Sequence, residues 1–158
     1  IFTEYLGRPD ATAEKLRDGW YYTGDVFLQE ENGDVTLLGR VDDMIRSGGE
    51  SIHPEEVEAV LETHAGVSEV SVIGLPDAKW GQMVVAAVVS DAEDRKTLAA
   101  DIDAHCKATS LAGFKRPKAY YFADELPRNA ANKVLRRLLR DAAGAARDAQ
   151  DADFQTVG

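Results

Sequence analysis

The run MVVAAVV, residues 83 to 89, is apolar at seven consecutive positions, and this constrains the fold more than any other stretch. Its residues are β-branched or small, which favours a strand. A strand with one solvated face alternates apolar and polar positions, so an unbroken apolar run belongs in the middle of its sheet. At seven residues it is far below the roughly 20 needed to cross a bilayer. The chain must therefore build its own cover for this strand. VSEVSVIGL (67–75) reads as a second β-branched strand, and the connector PDAKWGQ reads as a loop.

The remaining segments supply that cover. PDATAEKLRD (9–18) predicts a short helix ending at Gly19. VFLQE and VTLLG predict a hairpin closed by Glu-Asn-Gly-Asp, residues that tolerate positive φ. After Gly48-Gly49, Pro54 suits a first helical turn and Glu55 and Glu56 complement its dipole. Val57, Val60 and Leu61 then share one face as far as Gly66. Residues 95–109 place Leu98, Ile102 and Cys106 at helical spacing, KAYYFAD (118–124) predicts a strand, and NKVLRRLLRDA predicts a last helix. From Ala142 onward AAGAARDAQDADFQTVG is rich in Ala and Asp and poor in large apolar groups, so a frayed tail is expected. The fold class is α+β, a mixed or antiparallel sheet covered by helices and preceded by a hairpin.

Composition narrows the function. With 158 residues, 44% hydrophobic and 29% charged, the chain has the size of one domain, or of a small domain plus a piece of another. A net charge of -10 argues against general binding to nucleic acid or to an anionic membrane. Charge is nonetheless unevenly spread. Between residues 114 and 140 eight basic side chains face two acidic ones, a local +6 that leaves -16 for the rest. Such a patch can aim a phosphate-bearing ligand at one surface. The helix residues Arg136, Arg137 and Arg140 read first as a solvated face. Lys115, Arg116 and Lys118, crowded round Pro117 beside Phe114, read as a candidate frame for a nucleotide. One cysteine, Cys106, makes no internal disulfide, which makes a reducing cytoplasm the expected setting. No basic and apolar leader opens the sequence, and a start on Ile-Phe-Thr reads as the interior of a longer protein. His53, His64 and His105 have no metal-ligand spacing. His105 and Cys106, being sequence neighbours on one helix, point apart and make a poor catalytic pair.

Five segments in order carry a resemblance: GWYYTGD (19–25), LLGRVDDMIRSGGESIHPEEVE (37–58), GLPDAKWGQ (74–82), FKRPKAYYF (114–122) and LPRNAANKVLRR (126–137). Together they resemble the C-terminal part of AMP-forming acyl-CoA and aryl-CoA synthetases, the adenylate-forming superfamily, and within it the pattern is most similar to halobenzoate-CoA ligases. The resemblance covers residues 1 to about 141. It implies two half-reactions, in which a carboxylic acid and ATP give an acyl-adenylate and CoA then displaces AMP, with a small C-terminal domain rotating between them. It divides the chain into residues 1–42, the end of a large AMP-binding domain, residues 43–141, the small mobile domain, and residues 142–158, the tail.

What the resemblance implies can be placed residue by residue. Asp25 of YTGD matches the carboxylate that accepts from the ATP ribose hydroxyls, and Arg40 matches a second ribose contact. In isolation Asp25 would read as a turn aspartate. Lys133 matches the adenylation lysine, whose positive charge sits where negative charge develops, although alone it would read as a surface lysine. Asn132 stands where most of the superfamily has Gly, and Asn also tolerates left-handed backbone. Asp42 matches the hinge. Gly48, Gly49 and Glu50 match the segment beside the pantetheine arm, where missing side chains leave room for a thin ligand. Trp80, Phe114, Arg116 and Lys118 match positions that hold the CoA nucleotide, and on composition alone Trp80 reads equally as a loop tryptophan packed on the sheet. The implied co-substrates are ATP with Mg2+, CoA and a carboxylic acid, with the metal and acyl sites in a large domain that this chain lacks. The isolated chain is expected to catalyse neither half-reaction. A carrier-protein adenylation domain, a luciferase-like enzyme and a stand-alone interaction module are the competing expectations.

Overall fold

The computed structural model describes residues 2–157, and the chain divides into two compact units, Ile1–Asp42 and Asp43–Gly158. The smaller unit holds α1 (Pro9–Lys15), a short pair β1 (Leu16–Arg17) and β2 (Trp20–Tyr21), and the hairpin β3 (Asp25–Gln29) with β4 (Val35–Arg40). Gly33, at φ +91°, closes that hairpin in a backbone region that glycine enters freely. Among the described residues of this unit only Gly39 is buried, and Trp20, Phe27, Val35 and Leu37 are all more than half exposed. The unit has almost no core of its own. The chain passes to the larger unit through a 3-10 turn, Val41–Asp43.

The larger unit is α+β, as the sequence predicts. Its order is β5 (Ile45–Ser47), β6 (Glu50–Ile52), α2 (Pro54–Leu61), β7 (Glu69–Asp77), β8 (Gly81–Val89), α3 (Arg95–Ala108), β9 (Ala119–Phe122), α4 (Arg136–Asp148) and β10 (Phe154–Thr156). The apolar run is the central strand. β8 pairs antiparallel with β7 along nine consecutive residues, parallel with β9 on its other side, and with β5 at Ser47↔Gly81. Its side chains alternate between two cores. Val84, Ala86 and Val88 pack with Val57, Leu61, Leu98, Ile102 and Tyr120 under α2 and α3. Val85 and Ala87 pack with Ile73, Leu75, Leu139 and Ala143 under α4. Each fully buried Val or Leu contributes roughly 1.5–3 kcal/mol, so both faces need every apolar position in the run.

Three expectations are corrected. PDAKWGQ is not a free loop, because the β7 and β8 ladders run on to Asp77 and Gly81 and leave only a tight turn. The last helix starts four residues later than NKVLRRLLRDA suggests, because Asn132 sits at φ +60° and Val134 pairs with Arg128 in an isolated β-bridge. It also runs further, since the alanines expected to fray are the strongest helix formers and carry α4 to Asp148, with Leu139 and Ala143 buried one turn apart. The supposed tail then returns as β10, antiparallel to β9, with Phe154 opposite Tyr121.

Arg136 and Arg140 are likewise no solvated face. Arg136 donates to Asp43 at 3.1 Å and to Glu58 at 2.9 and 3.0 Å, and lies 3.3 Å from Glu55; Arg140 donates to Asp43 at 3.2 Å. Burial alone would lower the Arg136 pKa, but the carboxylates of Glu58, Glu55 and Asp43 outweigh it and hold the pKa above its usual value. Glu58 also accepts from the Val72 backbone N–H at 2.7 Å and the Ser71 hydroxyl, sealing part of the outer edge of β7. Only Arg137 fits the solvated description, pairing with Asp141 in the open.

Two outcomes test this packing. Arg136→Met leaves three carboxylates facing one another and should cost about 2–3 kcal/mol, a fall in Tm on the order of 10 °C; Arg137→Met should leave the thermal melt unchanged. Cys106 is fully buried and burial raises its thiol pKa, so a thiol reagent at pH 8 should label it only as fast as the protein unfolds.

Candidate functional site

Two tight turns meet at one end of the β7–β8 hairpin. Ser47 pairs with Glu50 across a two-residue loop in which Gly48 and Gly49 have φ +61° and +89°. Both central residues are left-handed, which is the geometry that a Gly-Gly loop serves in a two-residue hairpin. The Asp77 carboxylate accepts from the N–H groups of Lys79 and Trp80 at 2.9 and 2.8 Å and shapes the second turn. The turns are joined by a bond from Gly48 N–H to the Trp80 carbonyl at 2.9 Å. A Cβ on Gly48 would sit 3.0 Å from the Trp80 ring, whereas Gly49 faces open space.

Beside this junction lies a cavity of about 290 Å³ lined by Ser47, Gly48, Glu50, Trp80, Val84, Gly113, Phe114 and Lys118. Five of the residues singled out in the sequence therefore share one wall system: Gly48, Glu50, Trp80, Phe114 and Lys118. Gly49 is next to it in the chain but does not line it. Arg116 stands one layer back, packed over Gly113, with a buried Nε that has no hydrogen-bond partner among the described residues. Lys115 is engaged elsewhere, 2.6 Å from Glu56. Lys118 is exposed at the cavity and makes no ion pair among the described residues. Two half-exposed aromatic rings, Trp80 and Phe114, with a free lysine and glycine backbone form a site suited to a flat ring and a phosphate on a narrow stem.

Lys133 lies at the other end of the hairpin. It is exposed, in the loop between β9 and α4, and Asn132 before it has the left-handed backbone that the sequence permits. Arg128 ties this loop to Glu69, the first residue of β7, at 2.5 Å. Eight strand steps from Glu69 to Asp77 amount to about 26 Å. Lys133 and the Gly48-Gly49 turn are thus presented at opposite ends of one rigid ladder.

In the smaller unit Asp25 and Arg40 face each other across the β3–β4 hairpin, and Arg40 donates to Asp25 Oδ1 at 2.8 Å. Gly24 lets the guanidinium lie close, since a Cβ there would meet Arg40 Nη2 at 3.0 Å. Asp42 stays exposed, 4.0 Å from Arg40. A groove lined by Lys15, Tyr21, Tyr22, Thr23, Asp25 and Asp42 among others runs beside the pair. Among the described residues no group of three or more His, Cys, Asp or Glu side chains is placed to hold a metal ion. No described helix is long and apolar enough to cross a membrane.

Sequence reasoning missed three contributors. The β5–β6 hairpin was legible in Gly-Gly between two short strand-like runs. Asp77 and Asn129, which shape the turns carrying Trp80 and Lys133, are Asx-type residues whose signal is local and common.

Residues 56–133 match the family model described as the AMP-binding enzyme C-terminal domain. The chain belongs to that family. A 4-chlorobenzoate–CoA ligase from Arthrobacter sp is 50% identical over 145 residues, covering 91% of this chain and 27% of the relative. A fatty acid–[acyl-carrier-protein] ligase from Streptomyces coeruleorubidus is 46% identical over 138 residues, 87% of this chain and 26% of the relative. Among solved structures, o-succinylbenzoate CoA synthetase from Bacillus subtilis in complex with an acyl-adenylate intermediate superposes with a TM-score of 0.79 at 38% identity, over 89% of this chain and 28% of that one. The chain thus spans about a quarter of the length of the relatives it matches. In this AMP-binding enzyme C-terminal domain the match begins inside α2 and ends at Lys133.

A double-mutant cycle tests the turn junction. Gly49→Ala should cost about 1 kcal/mol from its positive φ alone. Gly48→Ala should cost about 1 kcal/mol more because the ring of Trp80 must move, and in a Trp80→Ala background that excess should vanish. Denaturant titration of the four proteins measures it; an excess that persists without Trp80 would contradict the contact.

Proposed function

We propose that this chain is the C-terminal part of an ATP-dependent acid–thiol ligase that forms an acyl-adenylate and then a CoA thioester. The observation that carries the reading is the separation of Lys133 from the Gly48-Gly49 turn along the β7–β8 ladder. Two chemical steps at one centre need different groups there. Rotation about a joint at Asp42 would bring first one end of the ladder and then the other to the same reaction centre.

In the first step the carboxylate of the substrate attacks the α-phosphate of ATP. A new C–O–P linkage forms and pyrophosphate leaves with the electron pair of the broken bond. Lys133 supplies a fixed positive charge where the carboxylate and phosphate oxygens converge, which lowers the energy of the charge-dense transition state. Asp25, with one oxygen occupied by Arg40, offers its other oxygen to the ribose hydroxyls. In the second step the CoA thiol displaces AMP from the acyl carbon. Gly48 and Gly49 present backbone without side chains to the pantetheine arm. The aromatic rings of Trp80 and Phe114 then flank the nucleotide, with Lys118 meeting a phosphate and Arg116 in reserve behind Gly113. Magnesium accompanying ATP would be held by residues outside this chain, as would the acyl group. A buried free Cys106 fits a reducing, cytoplasmic setting.

CoA is favoured over a carrier protein as acceptor because the aromatic and lysine cavity suits a nucleotide. The ligase from Streptomyces coeruleorubidus, named for a carrier-protein acceptor, keeps that second reading in view. Equilibrium titration of the chain with CoA, followed by Trp fluorescence, should give binding that pantetheine does not reproduce and that Lys118→Glu or Trp80→Ala weakens at least about 10-fold. Equal binding of CoA and pantetheine would favour the carrier protein. In the longer enzyme Lys133→Ala should slow adenylate formation about 10²–10³-fold and spare thioester formation from supplied acyl-adenylate; an equal loss in both steps would overturn the assignment.

A further inference from the structure

The loop that carries Lys133 is held by bonds that neither composition nor core packing explains. Asn129 Oδ1 accepts from the N–H of Ala131 at 2.9 Å and from the N–H of Lys133 at 3.0 Å. The Lys133 carbonyl accepts from Asn129 N–H, and the Asn129 carbonyl accepts from Asn132 N–H, both at 2.9 Å. Both backbone groups of the lysine thus end on one residue. Arg128 completes the arrangement: Nη1 donates to the Asn132 carbonyl at 3.1 Å and Nη2 binds Glu69 at 2.5 Å. The peptide directly before Lys133 is in this way fixed to the start of the central hairpin.

We propose that Arg128 and Asn129, anchored by Glu69, are positioning residues for Lys133. The inference rests on the adenylation reading of that lysine. A lysine side chain is a compact charge on a flexible four-carbon stem, so its placement is only as good as that of its backbone. The Arg128–Glu69 pair is 35% and 44% exposed, and ion pairs of that kind add little to stability. Its value therefore lies in geometry, where a displacement of about 1 Å at a charge that stabilises a transition state can cost on the order of 100-fold in rate. The clamp also sits at the Glu69 end of the ladder, away from the Gly48-Gly49 turn and the cavity. It governs one half-reaction and leaves the other untouched.

The test uses the longer enzyme and measures the half-reactions separately, adenylate formation by carboxylate-dependent ATP–pyrophosphate exchange and thioester formation from supplied acyl-adenylate. Arg128→Ala and Asn129→Ala should each lower kcat of exchange about 10-fold or more while thioester formation stays within about 2-fold. Arg128→Lys, which keeps the pairing with Glu69, should recover part of the loss, and Arg137→Ala should change neither step. Amide hydrogen exchange on the present chain gives an independent readout: in Asn129→Ala the N–H groups of Ala131 and Lys133 should lose protection while Val85–Val88 of β8 keep theirs. Equal losses in both half-reactions, undiminished exchange activity, or unchanged protection would each overturn the positioning role. Carboxylate-dependent exchange missing from the unsubstituted enzyme would overturn the ligase reading and this inference with it, whereas normal exchange in the unsubstituted enzyme and in both alanine variants would overturn this inference alone.

Discussion

Nine consecutive backbone pairings between β7 and β8 hold the larger unit in shape. Because β8 is also bound to β9 on its far side, its hydrogen-bonding groups are engaged on both sides over much of its length. Its side chains must then go to both faces, and the two cores follow from that. Helices α2 and α3 close one face and α4 the other. The turns at the two ends of the ladder inherit its stiffness, which a loop of their length would not possess alone.

Charge is sorted by the same frame. Of the eight basic residues between 114 and 140, Arg136 is committed to Asp43 and Glu58, Arg140 to Asp43, Arg128 to Glu69, Lys115 to Glu56 and Arg137 to Asp141, while Arg116 lies half-buried over Gly113 with no ion pair among the described residues. Lys118 and Lys133 are exposed and unpaired among the described residues. A positive field that looks uniform in the sequence therefore comes down to two available ammonium groups, one at each end of the hairpin. The Arg136 cluster has a second effect, since it fastens Asp43, the first residue of the larger unit, to the helix that follows the lysine loop.

The sequence revealed those parts of the fold governed by periodicity or by a single residue's backbone freedom. The unbroken run 83–89 predicts a central strand, the Val57, Val60 and Leu61 spacing predicts α2, and Asn132 is a residue type that tolerates the left-handed backbone it adopts. Where partners distant in sequence decide the outcome, the sequence was silent. Arg136 reads as surface until Glu58 and Asp43 are brought to it, 78 and 93 residues away in the chain. The β5 and β6 strands are three residues each, too short for a periodicity, so the Gly48-Gly49 pair between them is the signal that the hairpin offers. The 142–148 stretch lacks large apolar groups, yet alanine's helix propensity and one small face against Ile73 and Leu75 suffice to order it. At the site, motif order found the residues that meet a ligand, and missed Asn129 and Asp77, which only shape the turns that bear them.

The seating of Phe154–Thr156 against β9 carries a practical consequence. Trimming the polypeptide at Ala142, where composition turns monotonous, would shear away half of α4 and strip the covering from the backbone of Ala119–Phe122. That seam would then be free to zip onto the same seam of another molecule, and a preparation shortened in this way would be expected to clump even though nothing near either lysine had been touched.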